Sequence, residues 1–110
     1  MTIEFHTPAG KVIEKLISSI RNDMLELLHI NKKITRAEVM MKEDTGIFDK
    51  DNKVCEIRLS IFGDNLYTRS RTESFENSAK QAVKDLKRLV RQQVKKENAT
   101  THTVMSSVKR

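Results

Sequence analysis

Basic side chains recur at helical spacing in the last third of the chain. Residues 1–73 contain 12 Lys/Arg and 12 Asp/Glu, whereas residues 74–110 contain 9 and 3 and therefore carry the whole net charge of +6. On a helix turning about 100° per residue, one set of these bases falls within an arc of roughly 100°. This basic row consists of Lys80, Lys84, Lys87, Arg88, Arg91 and Lys95, with Lys96 lying outside the arc.

The basic row predicts a phosphate-binding surface. Cations without counter-charges repel one another, and a polyanion that releases its counterions would relieve that repulsion. The charge by itself fits a solvated helix face equally well, because charge supports association without identifying a partner.

A second group of candidate contacts alternates along a predicted strand. Tyr67, Arg69 and Arg71 fall on one side of it, where an aromatic ring can stack on a base and the cations can bind phosphate. An ordinary solvent-facing strand would show the same pattern. The candidate RNA contacts outside the basic row are Lys96, Arg36, Arg58, Tyr67, Arg69 and Arg71.

Residues that could support catalysis or hold a cofactor are scattered. His6, His29 and His102 have no metal-ligand neighbour at useful spacing. Cys55 alternates with apolar residues, which predicts a buried thiol rather than a nucleophile. The three glycines begin no phosphate-binding loop. We therefore expect no enzymatic activity, metal, cofactor or small-molecule substrate.

Two segments have apolar residues at helical spacing. The first runs from Gly10 to about His29, and the second begins after an N-cap predicted at Ser74 and runs to about Lys96. Residues 98–110 show no periodicity and are rich in Thr and Ser, which predicts a disordered tail. Residues 1–97 are therefore expected to form a single domain.

Four segments alternate with a period of two and are predicted to be strands. They are Thr2–His6, Ile34–Lys42, Lys53–Phe62 and Leu66–Thr72, the last two joined by a turn at residues 63–65. The order β-α-β-β-β-α gives an α+β fold. Because each strand has one apolar side, both helices are expected to pack on one face of a four-stranded sheet, leaving the other face in water.

Composition limits where the protein acts. The N-terminus lacks the basic start and apolar run of a secretion signal, and no apolar stretch approaches the roughly 20 residues that span a bilayer. A single cysteine excludes an internal disulfide. We expect a cytoplasmic protein without a membrane partner.

Particular residues, taken in order, match the pattern of a known family. Ile34-Thr35-Arg36-Ala37-Glu38-Val39 is similar to the second strand of the ribosome hibernation-promoting factor and ribosome-associated inhibitor family. Glu56-Ile57-Arg58-Leu59, with Gly63 and Leu66 after it, resembles that family's third strand, turn and fourth strand. In the last helix, acidic, apolar and basic positions correspond at Glu73, Val83, Leu86, Arg88, Arg91 and Lys96. The resemblance covers about residues 1–97, although the helix start at 74–80 departs from the family's pattern.

The resemblance implies a fold like that of double-stranded RNA-binding domains and a specific partner. Members of the family bind the small ribosomal subunit and its ribosomal RNA in the channel used by messenger and transfer RNA, and so silence idle ribosomes. Arg36, Arg58, Arg88, Arg91 and Lys96 are supported residue by residue, whereas the other candidate contacts depend on geometry. The leading hypothesis is a non-catalytic, short-form hibernation factor that inhibits translation under stress or in stationary phase.

Two other hypotheses remain open. The protein could be an interaction module that forms a weak homodimer through the open sheet face, with the basic helix serving solubility. Peripheral membrane attachment through the last helix is less favoured, because the core needs its apolar stripe and the helix lacks the large aromatic residues typical of such anchors.

Overall fold

Four strands and two helices follow one another in the predicted order β-α-β-β-β-α. The structure is a computed structural model that describes residues 1–8, 10, 12, 14–44 and 50–108, with side chains described as far as residue 96. The elements are β1 (Thr2–His6), α1 (Glu14–Ile30), β2 (Ile34–Glu43), β3 (Lys53–Ile61), β4 (Asp64–Thr72) and α2 (Phe75–Val108). The α+β class is confirmed.

The strands form one sheet in the order β1-β2-β3-β4. β1 pairs parallel with β2, because the chain crosses through α1 between them, whereas β2, β3 and β4 pair antiparallel. In the register, Val39 of β2 lies opposite both Phe5 of β1 and Ile57 of β3. β1 and β4 are therefore the edges of the sheet.

Both helices pack against the same face of the sheet. The apolar sides of β2 and β3 and the apolar stripes of the two helices form a single hydrophobic cluster. Its fully buried members include Met24 of α1, Val39 of β2, Ile57 of β3 and Leu86 of α2. Burial of this stripe of α2 leaves the opposite side of the helix, which carries the basic row, facing outward.

Hydrogen bonds fix the position of α2 on the sheet. The Asn77 N–H donates to Ser74 Oγ at 3.2 Å, which confirms Ser74 as the N-cap. Ser78 Oγ donates to the Lys53 carbonyl at 2.6 Å, and Thr68 Oγ1 donates to the Ala82 carbonyl at 3.2 Å. Farther along the helix, Asn31 Nδ2 donates to Gln93 Oε1 at 2.8 Å. These bonds set the helix rotation and hence the direction of the basic row.

Both helices have boundaries that differ from those predicted. α1 begins at Glu14 rather than at Gly10, because Gly10 has a φ of 72° and cannot belong to a right-handed helix. The backbone of α2 continues to Val108, beyond the predicted end near Lys96, and no Gly or Pro in that stretch forces it to stop. The predicted disorder of residues 98–110 stays a prediction, as does the domain boundary at residue 97.

Candidate nucleic-acid interface

The basic row lies along the outward side of α2. Lys80, Lys84, Arg91 and Lys95 are exposed, as is Arg88, whereas Lys87 is half-buried where α2 approaches α1. Lys96 is exposed but lies outside the row, as its position in the helical turn predicts. The structure therefore brings the members of the predicted row onto one continuous strip of surface.

Among the described residues, the ends of the basic row form no ion pair, whereas its middle does. Lys87 Nζ lies 3.3 Å from Glu26 Oε2 and 3.7 Å from Asp23 Oδ1, both on α1. Arg88 Nη2 lies 3.6 Å from Asp85 Oδ1 on its own helix. Within the described part of the chain, the other four members form no ion pair: they are Lys80, Lys84, Arg91 and Lys95.

A depression between α1 and α2 collects most of this charge. It encloses about 260 Å³ and is lined by Asp23, Val83, Lys80, Lys84, Lys87 and Arg91. Burial raises the pKa of the Asp23 carboxyl, and the neighbouring Lys87 ammonium opposes that shift. With four cations and one carboxylate on its walls, the depression can accept phosphate oxygens.

The opposite face of the sheet carries the second group of candidate contacts. Arg36, Arg58, Tyr67, Arg69 and Arg71 project from it, as the alternation predicts. The helices and the sheet separate these residues from the basic row. The candidate contacts therefore form two surfaces on opposite sides of the molecule.

Most cations of this sheet face are already paired with carboxylates. Arg36 Nη2 lies 2.6 Å from Glu4 Oε2 and 3.3 Å from Glu38 Oε2. Arg69 Nε lies 3.5 Å from Glu56 Oε1, which also holds Lys42 Nζ at 3.2 Å. These ion pairs neutralise the cations within the molecule, so less positive charge is available to a partner.

Two further cations complete the sheet face. Arg71 Nη2 lies 2.5 Å from Asp44 Oδ2. The Arg58 guanidinium lies 5.7 Å from the centre of the Tyr67 ring, in a cation–π contact. Arg58 is therefore partnered by a neutral ring and not by a carboxylate.

One end of the sheet face is buried, contrary to the prediction that this face lies in water. Val54 is 0% exposed and Glu56 is 8% exposed. In the register Val54 lies between Lys42 and Arg71, and Asp44 holds Arg71 in place at this end. The aliphatic parts of such long side chains can cover an apolar neighbour.

Two acids that shape the interface were missed by sequence reasoning. Asp23 and Glu26 lie on α1, more than 60 positions from Lys87 in the chain. No local spacing marks them as its partners, because the contact exists only once the two helices pack. Exposed Phe62 was likewise given no role: it was predicted to end the third strand, whereas the structure places it in the turn after β3.

The other reactive groups offer no catalytic arrangement in the described residues. Cys55 is buried as predicted, and burial raises the pKa of its thiol to about 12. Ligand atoms of Glu4, His6 and Glu38 approach within 4.8 Å of one another, but Arg36 bonds to both carboxylates and supplies the positive charge they require. No helix of the described residues is long and apolar enough to cross a membrane.

Solved structures of other proteins share this fold. The N-terminal domain of Protein Y from Thermus thermophilus aligns with a TM-score of 0.68 and 14% identity, covering 84% of this chain and 98% of that one. A ribosomal subunit interface protein from Coxiella burnetii aligns with a TM-score of 0.67 and 11% identity, covering 90% of this chain and 99% of that one. No protein-family model and no curated protein matches the sequence. The fold implied by the family resemblance is therefore confirmed by structural similarity.

Proposed function

We propose that this protein is a non-catalytic ribosome-binding factor. The uncompensated ends of the basic row carry the proposal, because they offer concentrated positive charge on a fold shared with a ribosomal subunit interface protein. In the finer form of the proposal, the protein enters the small-subunit channel used by messenger and transfer RNA and inhibits translation under stress. Such a partner would place it in the cytoplasm.

Charge and spacing suit the ribosomal RNA backbone. Lys80 and Lys84 form one uncompensated pair on α2, and Arg91 and Lys95 form another. At a rise of about 1.5 Å per residue, Lys84 and Arg91 lie about 10 Å apart along the helix axis. Two clusters at this separation can contact two stretches of phosphate without reading sequence, which is how proteins recognise shaped RNA.

Contacts from the sheet face are secondary in this proposal. Arg36, Arg69 and Arg71 must share their charge between an internal carboxylate and any phosphate. Exposed ion pairs are worth only about 0–1 kcal/mol, so a phosphate can replace the carboxylate but gains less than at an unpaired lysine. The main loss of binding is therefore expected from α2.

Co-sedimentation with purified small subunits tests the proposal. The charge reversal Lys84→Glu/Arg91→Glu removes one member from each uncompensated cluster. Its matched control is Lys15→Glu/Lys50→Glu, which changes net charge equally at two exposed lysines without ion pairs in the described structure. The α2 variant should remain in the supernatant while the control co-sediments. Equal behaviour of the two variants would refute a role for the basic row.

The same variants address the interaction-module hypothesis. If the protein is a dimer held by its sheet face, reversal of charge on α2 should leave its molar mass by light scattering unchanged. Arg88 is a weaker target for this test than Arg91, because Asp85 already pairs with it. Loss of ribosome binding with an unchanged oligomeric state would separate the two functions.

A further inference from the structure

The exposed aromatic rings of the described structure both lie in the β3–β4 hairpin. Phe62 is 81% exposed and Tyr67 is 47% exposed, whereas Phe5 and Phe75 pack with the core. Phe62 lies in the turn that directly follows β3, and Tyr67 of β4 lies opposite Arg58 of β3. The hairpin therefore presents two rings and a guanidinium to solvent.

The backbone that carries Phe62 is held firmly. Gly63 adopts a φ of 91°, which permits the tight turn. Asn65 Oδ1 accepts a hydrogen bond from the Ile61 N–H at 3.4 Å, and Asp64 Oδ1 accepts one from the Asn65 N–H at 2.9 Å. The Phe62 N–H itself donates to the Lys33 carbonyl at 3.3 Å. The turn is thus ordered while its ring stays exposed, so little conformational entropy would be lost on binding.

Positive charge surrounds the rings. Arg58 stacks on Tyr67 and has no carboxylate partner in the described structure. Lys32 and Lys33 lie in the turn that accepts the Phe62 N–H. The neighbouring acids are already bonded: Asp64 accepts a backbone N–H, and Glu38, opposite Arg58 in the register, pairs with Arg36. Exposed rings beside cations match a ligand that has both flat apolar faces and negative charge.

We propose that the outer side of the β3–β4 hairpin binds unpaired bases of single-stranded RNA. Phe62 and Tyr67 each stack on a base, while Arg58 and the two lysines contact the connecting phosphates. The inference rests on the proposed function, and it adds a second RNA-binding surface on the side of the sheet away from the basic row. The protein would then bind two RNA segments at once, phosphate backbone on α2 and unpaired bases on the hairpin.

A fluorescent ring at position 62 tests the stacking directly, because the chain contains no tryptophan. The Phe62→Trp variant is titrated with an unstructured oligoribonucleotide and, separately, with a fully paired RNA hairpin. The Leu25→Trp variant is the matched control, since Leu25 is 44% exposed on α1. We expect the single strand to quench emission from the Phe62→Trp variant only. Equal quenching of both variants, or none, would overturn the proposal.

Affinity measurements separate stacking from a structural role. Phe62→Ala should weaken single-strand binding about fivefold or more, Phe62→Tyr should restore it, and Leu25→Ala should leave it unchanged. Phe62→Ala should also leave the melting temperature within the range of the Leu25→Ala control. If Phe62→Tyr binds as weakly as Phe62→Ala, the ring does not act by stacking.

Further measurements identify the partner and distinguish a failure of this inference from a failure of the proposed function. A blue shift of the Phe62→Trp emission with anionic phospholipid vesicles, without quenching by RNA, would overturn the proposal in favour of a membrane. If small subunits bind the protein and its Phe62→Ala variant equally and the oligonucleotide does not quench, the hairpin proposal fails and the ribosome proposal survives. If the oligonucleotide quenches the emission but the protein does not bind small subunits, the ribosome proposal fails and the hairpin proposal survives.

Discussion

The basic row of α2 and the outer face of the sheet both carry several cations, but in the described structure most cations of the sheet face are paired with carboxylates, whereas most of the row is not. On the sheet, Glu4, Glu56 and Asp44 each hold an arginine. On α2, the ion pairs seen in the described residues involve only the middle of the row, Lys87 and Arg88. Counting basic residues therefore does not locate a polyanion-binding surface; the positions of the nearest carboxylates must be known as well.

The difference has a structural origin. Sheet registers place each side chain between neighbours from two other strands, so an acid such as Glu56 can contact Lys42 and Arg69 together. An outward helix face has neighbours only three and four residues away in its own chain. Along the basic row those positions include two acids: Asp85, which pairs with Arg88, and Glu76, four residues before Lys80, for which no ion pair is found in the described residues.

The largest expected effect is a difference in the salt dependence of RNA binding between two double alanine variants. Lys84→Ala/Arg91→Ala removes two unpaired cations and should lower the slope of log K against log salt by about two units. Arg69→Ala/Arg71→Ala removes two paired cations and should lower it by less than one unit. Binding of a ribosomal RNA fragment between about 50 and 200 mM salt measures both slopes. Equal slopes would show that internal pairing does not decide which cations bind RNA.

An intermediate effect on RNA affinity is expected when Lys87 loses its ion pairs with α1. In the Asp23→Asn/Glu26→Gln variant, Lys87 loses both partners on α1 and should become available to phosphate. RNA affinity should rise several-fold, with a salt slope larger by up to one unit. The isosteric Glu14→Gln/Asp51→Asn variant also removes two negative charges, at exposed acids that form no ion pair in the described structure, and serves as control. Equal gains in the two variants would mean that only net charge matters.

A smaller effect on stability is expected at the centre of the sheet face. Glu56→Gln should lower the free energy of unfolding by about 1 kcal/mol, because the 90%-buried carboxylate loses its charge-assisted contacts to Lys42 and Arg69 while those cations stay solvated. Denaturant unfolding measures this. The same change should raise RNA affinity through the sheet face, and a fall in affinity would contradict the view that Glu56 competes with phosphate.

The smallest effect concerns pH. Since burial raises the pKa of Asp23, this carboxyl takes up a proton at a higher pH than an ordinary aspartate does. Acidification neutralises Asp23 and leaves Lys87 less compensated, so RNA affinity should increase more in the unmodified protein than in Asp23→Asn. Affinity titrations of the two proteins over the acidic range give the difference, and parallel curves would exclude Asp23 as the group responsible.

Local periodicity was enough to define most of the fold. Alternation assigned the inward and outward sides of β4 correctly, with Thr68 and Ser70 buried and Arg69 and Arg71 exposed. The N-cap at Ser74 and the alignment of the basic row also followed from spacing within one segment. Such features could be predicted because they depend on residues within a few positions of one another.

Only the folded chain shows which charges are neutralised. Lys87 meets Asp23 and Glu26 because α1 packs beside α2, and Arg71 meets Asp44 because β4 returns beside β3. Val54 has an outward position in the alternation and is nevertheless buried. The amino-acid sequence fixes the spacing of apolar and charged residues and the sign of each charge. Which charges are neutralised depends on distances that exist only after distant segments have packed.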